Sequence, residues 1–155
     1  VRVRSSICSD MSEPTACLSL VTLGVSDLAK STAFYEALGF RRKSRGADGV
    51  AFFEAGGVIL SLWPTAELAK DAVIAFANPA GFRGMSLAWN CTSASDVDRA
   101  LARAMEAGAT LIRSARTVFW GGYTAYFADP EGHLWEVAYN PQFPFSADGR
   151  LLLPD

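Results

Sequence analysis

Histidine is the scarcest chemically useful residue in this sequence, because His133 is the only one among 155 residues. A metal site made of two histidines and a carboxylate therefore cannot form within one chain. The three cysteines, Cys8, Cys17 and Cys91, lack the C-x-x-C spacing of zinc and redox sites. Their odd number and spacing predict reduced thiols in a cytoplasmic protein rather than a disulfide framework.

A large excess of charge of one sign and long apolar runs are also missing. The chain has 14 basic and 16 acidic residues, for a formal net charge of -2, and this balance predicts no nucleic-acid partner. The densest basic run, at residues 41–43, is interpreted as a solvated cap beside a helix end rather than a phosphate site. No apolar run is long enough to cross a bilayer, so no membrane association is predicted.

What the sequence does contain is one pattern that occurs twice. In each copy a short apolar segment precedes a serine expected to cap a helix, and a glycine is expected to end that helix. Ser26-Asp27 and Ser95 are the predicted N-caps, and Gly39 and Gly108 are the predicted C-caps. Ser26 and Ser95 are 69 residues apart in the sequence, and so are Gly39 and Gly108. Three strand candidates follow each helix, so each copy reads strand-helix-strand-strand-strand.

The repeat predicts the fold class, because a single unit of this kind leaves one sheet face uncovered. We expect an α+β fold in which two βαβββ modules form a curved, cup-like mixed sheet with the helices, at residues 27–38 and 96–107, on its convex face. The predicted boundaries are a flexible N-terminal tail at residues 1–16, one domain at 17–140 made of modules 17–63 and 85–140 with a connector at 64–84, and an extended C-terminal tail at 141–155.

Three segments resemble the glyoxalase/bleomycin-resistance/extradiol-dioxygenase superfamily, whose members are also called vicinal oxygen chelate proteins. They are residues 21–28 (VTLGVSDL), 34–40 (FYEALGF) and 129–137 (DPEGHLWEV). They occur in the order of the family, and the resemblance covers residues 18–140. It implies the fold predicted above. It does not imply one reaction, because the superfold hosts isomerases, dioxygenases, thiol transferases and drug-binding proteins.

The resemblance also implies where a metal would bind, since enzymes of the superfamily use side chains from the first and last strand of each module. Those positions hold Leu20, Ser61, Ser86 and Glu136 in this sequence. Of the four, Glu136 alone is a competent ligand for a transition metal. We therefore expect a branch of the superfamily that has lost most of its metal ligands and holds neither a metal nor another cofactor.

The side chains expected to face the cup follow from the alternation of residues along each strand. They combine apolar groups with hydroxyls and amides, as small-molecule pockets do. Residues 119–123 have two interpretations: a bulge with core aromatics, or a pocket edge where Trp120 and Tyr123 stack on a planar ligand. The predicted ligand-binding residues are Ser61, Trp63, Ser86, Asn90, Trp120, Tyr123 and Glu136.

Glu136 is the one residue of this set with a possible catalytic role, as a general base. A carboxylate that is buried without a metal needs a hydrogen-bond partner. Its partner is expected among Arg113, Arg116, Tyr123, a ligand amine, or hydroxyls such as those of Ser61 and Ser86.

The function predicted from these residues is that of a metal-free, glyoxalase/bleomycin-resistance-like protein that binds a small organic, aromatic or drug-like molecule in its cup. One alternative is a metal-dependent lyase or dioxygenase in which water or a partner chain completes the site. Another is a metal-free enzyme that uses Glu136 as its base, so the question of catalysis stays open. A homodimer is expected, because such modules expose an edge strand and the family commonly pairs modules between chains.

Overall fold

The computed structural model describes residues 16–76 and 81–154. The predicted N-terminal tail lies outside these residues, apart from Ala16. The first module contains β1 (Leu20–Val25), α1 (Leu28–Leu38), β2 (Arg41–Lys43), β3 (Ala51–Ala55) and β4 (Val58–Pro64). The helix α2 (Thr65–Asp71) follows in the connector. The second module contains β5 (Leu87–Asn90), α3 (Ala94–Ala107), β6 (Thr110–Thr117), β7 (Tyr123–Ala128) and β8 (Leu134–Tyr139).

The two modules have the same topology, which confirms the predicted duplication and the α+β fold class. One sheet has the order β1-β4-β3-β2 and the other the order β5-β8-β7-β6. In each, the first strand of the module pairs parallel with the last, and the remaining pairs are antiparallel. Within the described residues, the eight strands form two sheets rather than one continuous sheet.

Both helices end where the sequence predicts. The first also begins at the predicted Ser26-Asp27 cap, whereas α3 begins earlier than predicted. Gly39 and Gly108 both end their helices in the left-handed region, at a φ of 105°, which confirms both C-caps. The N-caps are Asp27 and Ser93, whose side chains accept a backbone N–H from the first helical turn. The N-cap predicted at Ser95 is therefore wrong, because Ser95 already lies in helical backbone. As a result α3 has 14 residues where α1 has 11.

The core lies between the two long helices and the convex faces of the sheets. Alternate residues of the strands point into it, as the period of two requires. The buried strand residues on this side include Leu23, Val25, Leu60, Leu62, Ala125, Phe127, Trp135 and Val137. The residues between them point to the opposite, concave side of each sheet.

A buried hydrogen-bond network joins α1 to the second module. The hydroxyl of Tyr35 donates to Asp129 Oδ2 at 2.7 Å and accepts the indole N–H of Trp135 at 3.1 Å. Asp129 Oδ2 also lies 2.8 Å from Nδ1 of His133, and Asp129 Oδ1 accepts the backbone N–H of His133 at 2.8 Å. All four side chains are buried, so they satisfy one another. We call Tyr35, Asp129, His133 and Trp135 the junction network.

The turn that carries this network, at residues 129–133, also contacts the beginning of α1. Glu131 Oε1 accepts a hydrogen bond from the Ser26 hydroxyl at 2.8 Å and from the Asp27 backbone N–H at 3.0 Å. Inside the turn, burial opposes the charge of Asp129, but the hydrogen bonds and charge of His133 and the hydroxyl of Tyr35 outweigh burial and keep the pKa of Asp129 below its usual value. The carboxylate therefore stays charged in the folded protein.

The cysteines depart from prediction. Cys17 is disulfide-bonded, whereas Cys91 is free and buried, so the prediction of reduced thiols is wrong for Cys17. An odd number of cysteines does not exclude a disulfide, which depends on geometry rather than on count.

The C-terminal segment contains an isolated antiparallel bridge, between Phe145 and Leu151.

Strand β6 contains two irregularities in its pairing with β7. The register shifts between Leu111 and Arg113, and again between Arg113 and Arg116. Each shift places an extra residue on β6, which bends the strand and changes the face to which the following side chains point. As a result Arg113 lies opposite Tyr126.

For the described residues overall, no helix combines the length and apolarity needed to traverse a bilayer.

We expect Tyr35→Phe to lower the free energy of unfolding by about 1–3 kcal/mol, because it removes a hydrogen bond from Asp129 and leaves the buried indole N–H of Trp135 without an acceptor. Urea denaturation measures this change. Tyr123→Phe is the matched control, because its hydroxyl bonds the exposed Asp98, and we expect it to cost less than about 0.5 kcal/mol. Equal losses of unfolding free energy in the two variants would contradict the conclusion that the buried side chains of the junction network satisfy one another.

Asp129 is expected to make stability depend on pH. Its pKa in the folded state is lowered, so its contribution is fully present above the unfolded-state value of about 3.9 and is lost as the pH falls through the folded-state value. Asp129→Asn should therefore be less stable than the wild type at pH 7, and the difference should shrink below about pH 4. Urea denaturation at a series of pH values tests this. A difference that does not change with pH would show that the charge of Asp129 is unimportant.

Candidate functional site

The concave face of the second sheet contains a carboxylate paired with a phenol. Glu136 on β8 and Tyr126 on β7 are direct cross-strand partners, and the Tyr126 hydroxyl donates to Glu136 Oε1 at 3.0 Å. Burial, together with the hydrogen bond and charge of Glu136, raises the pKa of Tyr126, while the charge of Arg113 lowers it by less. Tyr126 therefore remains a hydrogen-bond donor at neutral pH.

Arg113 lies on the other side of the Tyr126 ring. Its Nη2 donates to the Thr124 hydroxyl at 2.5 Å, and its guanidinium carbon lies 5.0 Å from the centre of the Tyr126 ring, within the range of a cation–π contact. We call Arg113, Thr124, Tyr126 and Glu136 the concave-face cluster. The cluster offers a carboxylate and a guanidinium on one surface. The carboxylate can accept a hydrogen bond from an N–H group of a ligand, and the guanidinium can donate one to a ligand oxygen or nitrogen.

Tyr126, which the sequence analysis did not name, is the hydrogen-bond partner of Glu136. Alternation along residues 123–128 could have placed Tyr126 on the same face as Thr124. The pairing with Glu136 itself follows from the register of β7 and β8. The side chains expected to pair with Glu136 that form no hydrogen bond with it in the described residues are Arg113, Arg116, Tyr123, Ser61 and Ser86.

The first module contributes a hydroxyl pair and a tryptophan to its own concave face. Ser61 on β4 lies directly opposite Thr22 on β1, and their hydroxyl oxygens are 2.8 Å apart. Ser61 is almost fully buried, so its hydroxyl is satisfied within the module. Trp63 follows two residues later on β4, on the same face, and is half-buried. This wall is therefore apolar, with hydroxyls that are already bonded.

Ser86, Asn90 and Trp120 lie at the edges of these faces. Ser86 comes just before β5, and its exposed hydroxyl bonds the carbonyl of the next residue. Asn90 ends β5 and is half-buried. Trp120 lies in the turn between β6 and β7 with 38% of its surface exposed. Its ring folds over Gly122, where an added Cβ would lie only 1.8 Å from a ring carbon.

Tyr123 is the member of the predicted set that points away from the cup. Its hydroxyl donates to Asp98 Oδ1 on α3 at 3.0 Å, and its ring packs against the core on the convex side. The structure therefore supports the core interpretation for Tyr123 and leaves Trp120 at the surface.

The residues at the family's metal positions do not fit a transition metal. Leu20 has no donor atom, Ser61 is bonded to Thr22, and Ser86 donates to a backbone carbonyl. In the part of the chain that the structure describes, no three His, Cys, Asp or Glu side chains form a group that could hold an ion. Glu136 alone is a poor site, because transition-metal centres take several nitrogen, sulfur or carboxylate ligands.

Comparison with known proteins identifies the family. The family model described as Glyoxalase/Bleomycin resistance protein/Dioxygenase superfamily matches residues 18–137. The chain belongs to this superfamily, as the sequence motifs indicated. Comparison with curated proteins finds no match.

Solved structures of the same family have the same fold. A glyoxalase-related enzyme from Fulvimarina pelagi is 33% identical, with a TM-score of 0.82, and the match covers 91% of this chain and 100% of that chain. A glyoxalase/bleomycin resistance protein/dioxygenase from Nocardioides is 27% identical, with a TM-score of 0.69, over 83% of this chain and 86% of that chain. A family enzyme from Burkholderia phytofirmans PsJN is 24% identical, with a TM-score of 0.73, over 80% and 98% of the two chains.

The packing of Trp120 on Gly122 is testable. Gly122→Ala should displace the indole from the turn, because the added Cβ would overlap the ring. We expect the indole N–H resonance of Trp120, assigned with Trp120→Phe, to move in the NMR spectrum. Gly46→Ala is the control, since a Cβ there has no neighbour within 4 Å. An unmoved Trp120 resonance in Gly122→Ala would contradict this packing.

Proposed function

We propose that this protein is a metal-free, glyoxalase/bleomycin-resistance-like protein that binds a small organic molecule against its concave-face cluster. The observation that carries the proposal is the pairing of Glu136 with Tyr126, which supplies the carboxylate with a partner that is not a metal. No second side chain hydrogen-bonds Glu136 among the residues that the structure describes. The carboxylate is half-buried, so its remaining lone pairs can accept from a ligand.

The chemistry of the two concave faces favours a planar ligand that carries a hydrogen-bond donor. An amine or amide N–H of the ligand would bond Glu136, and an aromatic ring would stack on the half-buried Trp63. The mild negative charge of the chain, -2, favours a basic or neutral ligand over an anionic one at this site. Trp120 is at the surface, where it can extend the stacking area.

A second candidate function is catalysis without a metal. Glu136 would take a proton as general base, and Tyr126, kept protonated by its raised pKa, would donate to a developing oxyanion. The relative from Fulvimarina pelagi is described as an enzyme, which supports this candidate. Turnover of a panel of dicarbonyls and catechols, lost in both Glu136→Gln and Tyr126→Phe, would select it over simple binding.

The ligand hypothesis is tested by screening planar aromatic amines, with quinoline amines as the first probes, by thermal shift and then calorimetry. We expect Glu136→Gln to weaken binding roughly tenfold, because it removes a charge-assisted hydrogen bond. We expect Trp63→Ala to weaken binding by a similar factor, because it removes a stacked ring. Trp120→Ala should weaken binding less, since its ring is partly exposed. Glu106→Gln, on α3 and outside both faces, is the control. Affinity that is unchanged in all three site variants would show that the ligand binds elsewhere.

The metal-free hypothesis has its own measurement. Protein purified without a histidine tag should contain no stoichiometric metal, and added Zn²⁺, Ni²⁺, Mn²⁺ or Fe²⁺ should not raise the melting temperature, because a weakly bound ion stabilises little. A metal-dependent lyase or dioxygenase would instead need donors from water or a partner chain. One equivalent of tightly held metal per chain, lost in Glu136→Gln, would overturn the hypothesis and select that alternative.

A homodimer and a cytoplasmic location remain proposals that rest on the sequence. The dimer would follow from the way members of this superfamily pair their modules between chains. Cys17 is disulfide-bonded, so this residue does not support the predicted cytoplasmic location.

A further inference from the structure

A cavity of about 940 Å³ lies between the two modules. No member of the concave-face cluster lines it, although Ala88, the cross-strand partner of Glu136, does. Its wall includes β1, β5, the end of α1, the turn between β3 and β4, and the C-terminal tail. Trp89, Trp135, Phe40 and Phe145 are among its lining residues. None of the residues Ser61, Trp63, Trp120 and Glu136 lines it. We call it the junction cavity.

The cavity exists because the two module junctions are unequal. The last two strands of the second module, β7 and β8, are joined by the turn at residues 129–133, which contacts α1. The last two strands of the first module, β3 and β4, are joined by Gly56-Gly57, which has no side chains. Counting back equally from the two C-caps, Tyr35 of α1 corresponds to Ala104 of α3. The junction network thus fills one junction with buried side chains. At the other junction the corresponding residues are too small to do so, and Gly56, Gly57 and Asn90 line the cavity instead.

The rim of the cavity is positively charged. Its lining includes Arg41, Arg103 and Arg150, from three separate elements, and only one carboxylate, Glu54. Arg41 lies 3.6 Å from Glu54 in an exposed ion pair. Arg150 Nε lies 3.2 Å from Asp148 Oδ2 in a second exposed ion pair, so among the described residues Arg103 is the arginine of the three without a carboxylate partner. A guanidinium offers several N–H donors in a planar fork suited to a carboxylate.

Arg103 is the arginine best placed for this role. Its Nε donates to the carbonyl of Ala37 at 3.2 Å, which holds the side chain across the end of α1. Its guanidinium lies against Gly39, where an added Cβ would come within 2.9 Å of Cζ. Within the described residues Arg103 forms no ion pair, so its terminal N–H groups are available to a ligand. Arg150 approaches the turn at Gly56-Gly57 in a similar way. Its Cζ would lie 3.8 Å from a Cβ built on Gly57.

We propose that the junction cavity is a second binding site, for a small organic carboxylate with an aromatic body. The aromatic walls would enclose the body, and Arg103, with Arg150, would bind the carboxylate. The volume is within the range of about 300–1,000 Å³ that small-molecule sites have. This site differs from the concave-face cluster in its lining residues and in charge preference, and its proposal does not rest on the proposed function.

The four tryptophans allow a site-resolved test, because Trp89 and Trp135 line the cavity and Trp63 and Trp120 do not. Naphthalene-1-acetate is the probe, titrated into the full chain while the four indole N–H resonances are followed by NMR. Each resonance is assigned with the corresponding Trp→Phe variant. We expect saturable shifts of Trp89 and Trp135 and none of the other two. Shifts confined to Trp63 or Trp120, or no shift at millimolar probe, would overturn the proposal.

The role of the arginines is tested by charge removal. Arg103→Gln should weaken binding of naphthalene-1-acetate roughly tenfold, since it removes a charge-assisted contact, and Arg103→Lys should restore part of the loss. Arg99→Gln is the matched control, because Arg99 lies one turn earlier on α3 and pairs with Asp96. Glu136→Gln should not weaken binding of this probe, because it removes no positive charge, which separates this test from that of the concave face.

The neutral amide of the same probe, naphthalene-1-acetamide, should bind more weakly than the acid to the wild type. Equal affinity for amide and acid, or an equal loss in Arg99→Gln and Arg103→Gln, would overturn the assignment of a carboxylate site. Circular dichroism and an unshifted Trp63 resonance report that each variant is folded. If Arg103→Gln fails to fold, Arg150→Gln takes its place, with the same expected direction and the same contradicting outcome.

Discussion

The relative orientation of the two modules depends on the hydrogen bonds of the junction network. The two sheets share no strand pairing among the described residues, so backbone hydrogen bonds between strands do not fix one sheet against the other. Tyr35 reaches from α1 into the second module, where Asp129, His133 and Trp135 surround its hydroxyl. Because all four side chains are buried, a rotation of one module would leave several polar groups unpaired, which is costly in a low-dielectric interior.

The duplicated fold divides the chemistry between its halves. The first module presents a bonded hydroxyl pair, Thr22 and Ser61, and an aromatic wall. The second presents the ionisable groups, Arg113 and Glu136, on either side of Tyr126. Under the proposed function, a ligand would therefore meet an aromatic wall on the first module and charged groups on the second.

Features set by local chemistry could be predicted from the sequence, and those set by long-range register could not. The glycine C-caps depend on a single residue in the left-handed region, so both were correct. The start of α3 was wrong because Ser93 and Ser95 are both good caps, and it is Ser93 whose hydroxyl accepts the backbone N–H of Asp96, at 3.1 Å. Tyr126 was missed, and Tyr123 was placed in the cup, because residues 119–123 were interpreted as a pocket edge before the phase of β7 was known.

The two bulges of β6 have a consequence for assembly. A straight strand at the edge of a sheet offers a regular row of N–H and C=O groups to another chain, whereas a bulged strand is twisted and its row is interrupted. β6 is the outer strand of its sheet, and it exposes Leu111 and Ile112. The outer strand of the other sheet, β2, has only 3 residues. The β2 and β6 edges therefore resist sheet extension, and a second copy of this chain would add a strand less readily at these two edges than at a long, straight one.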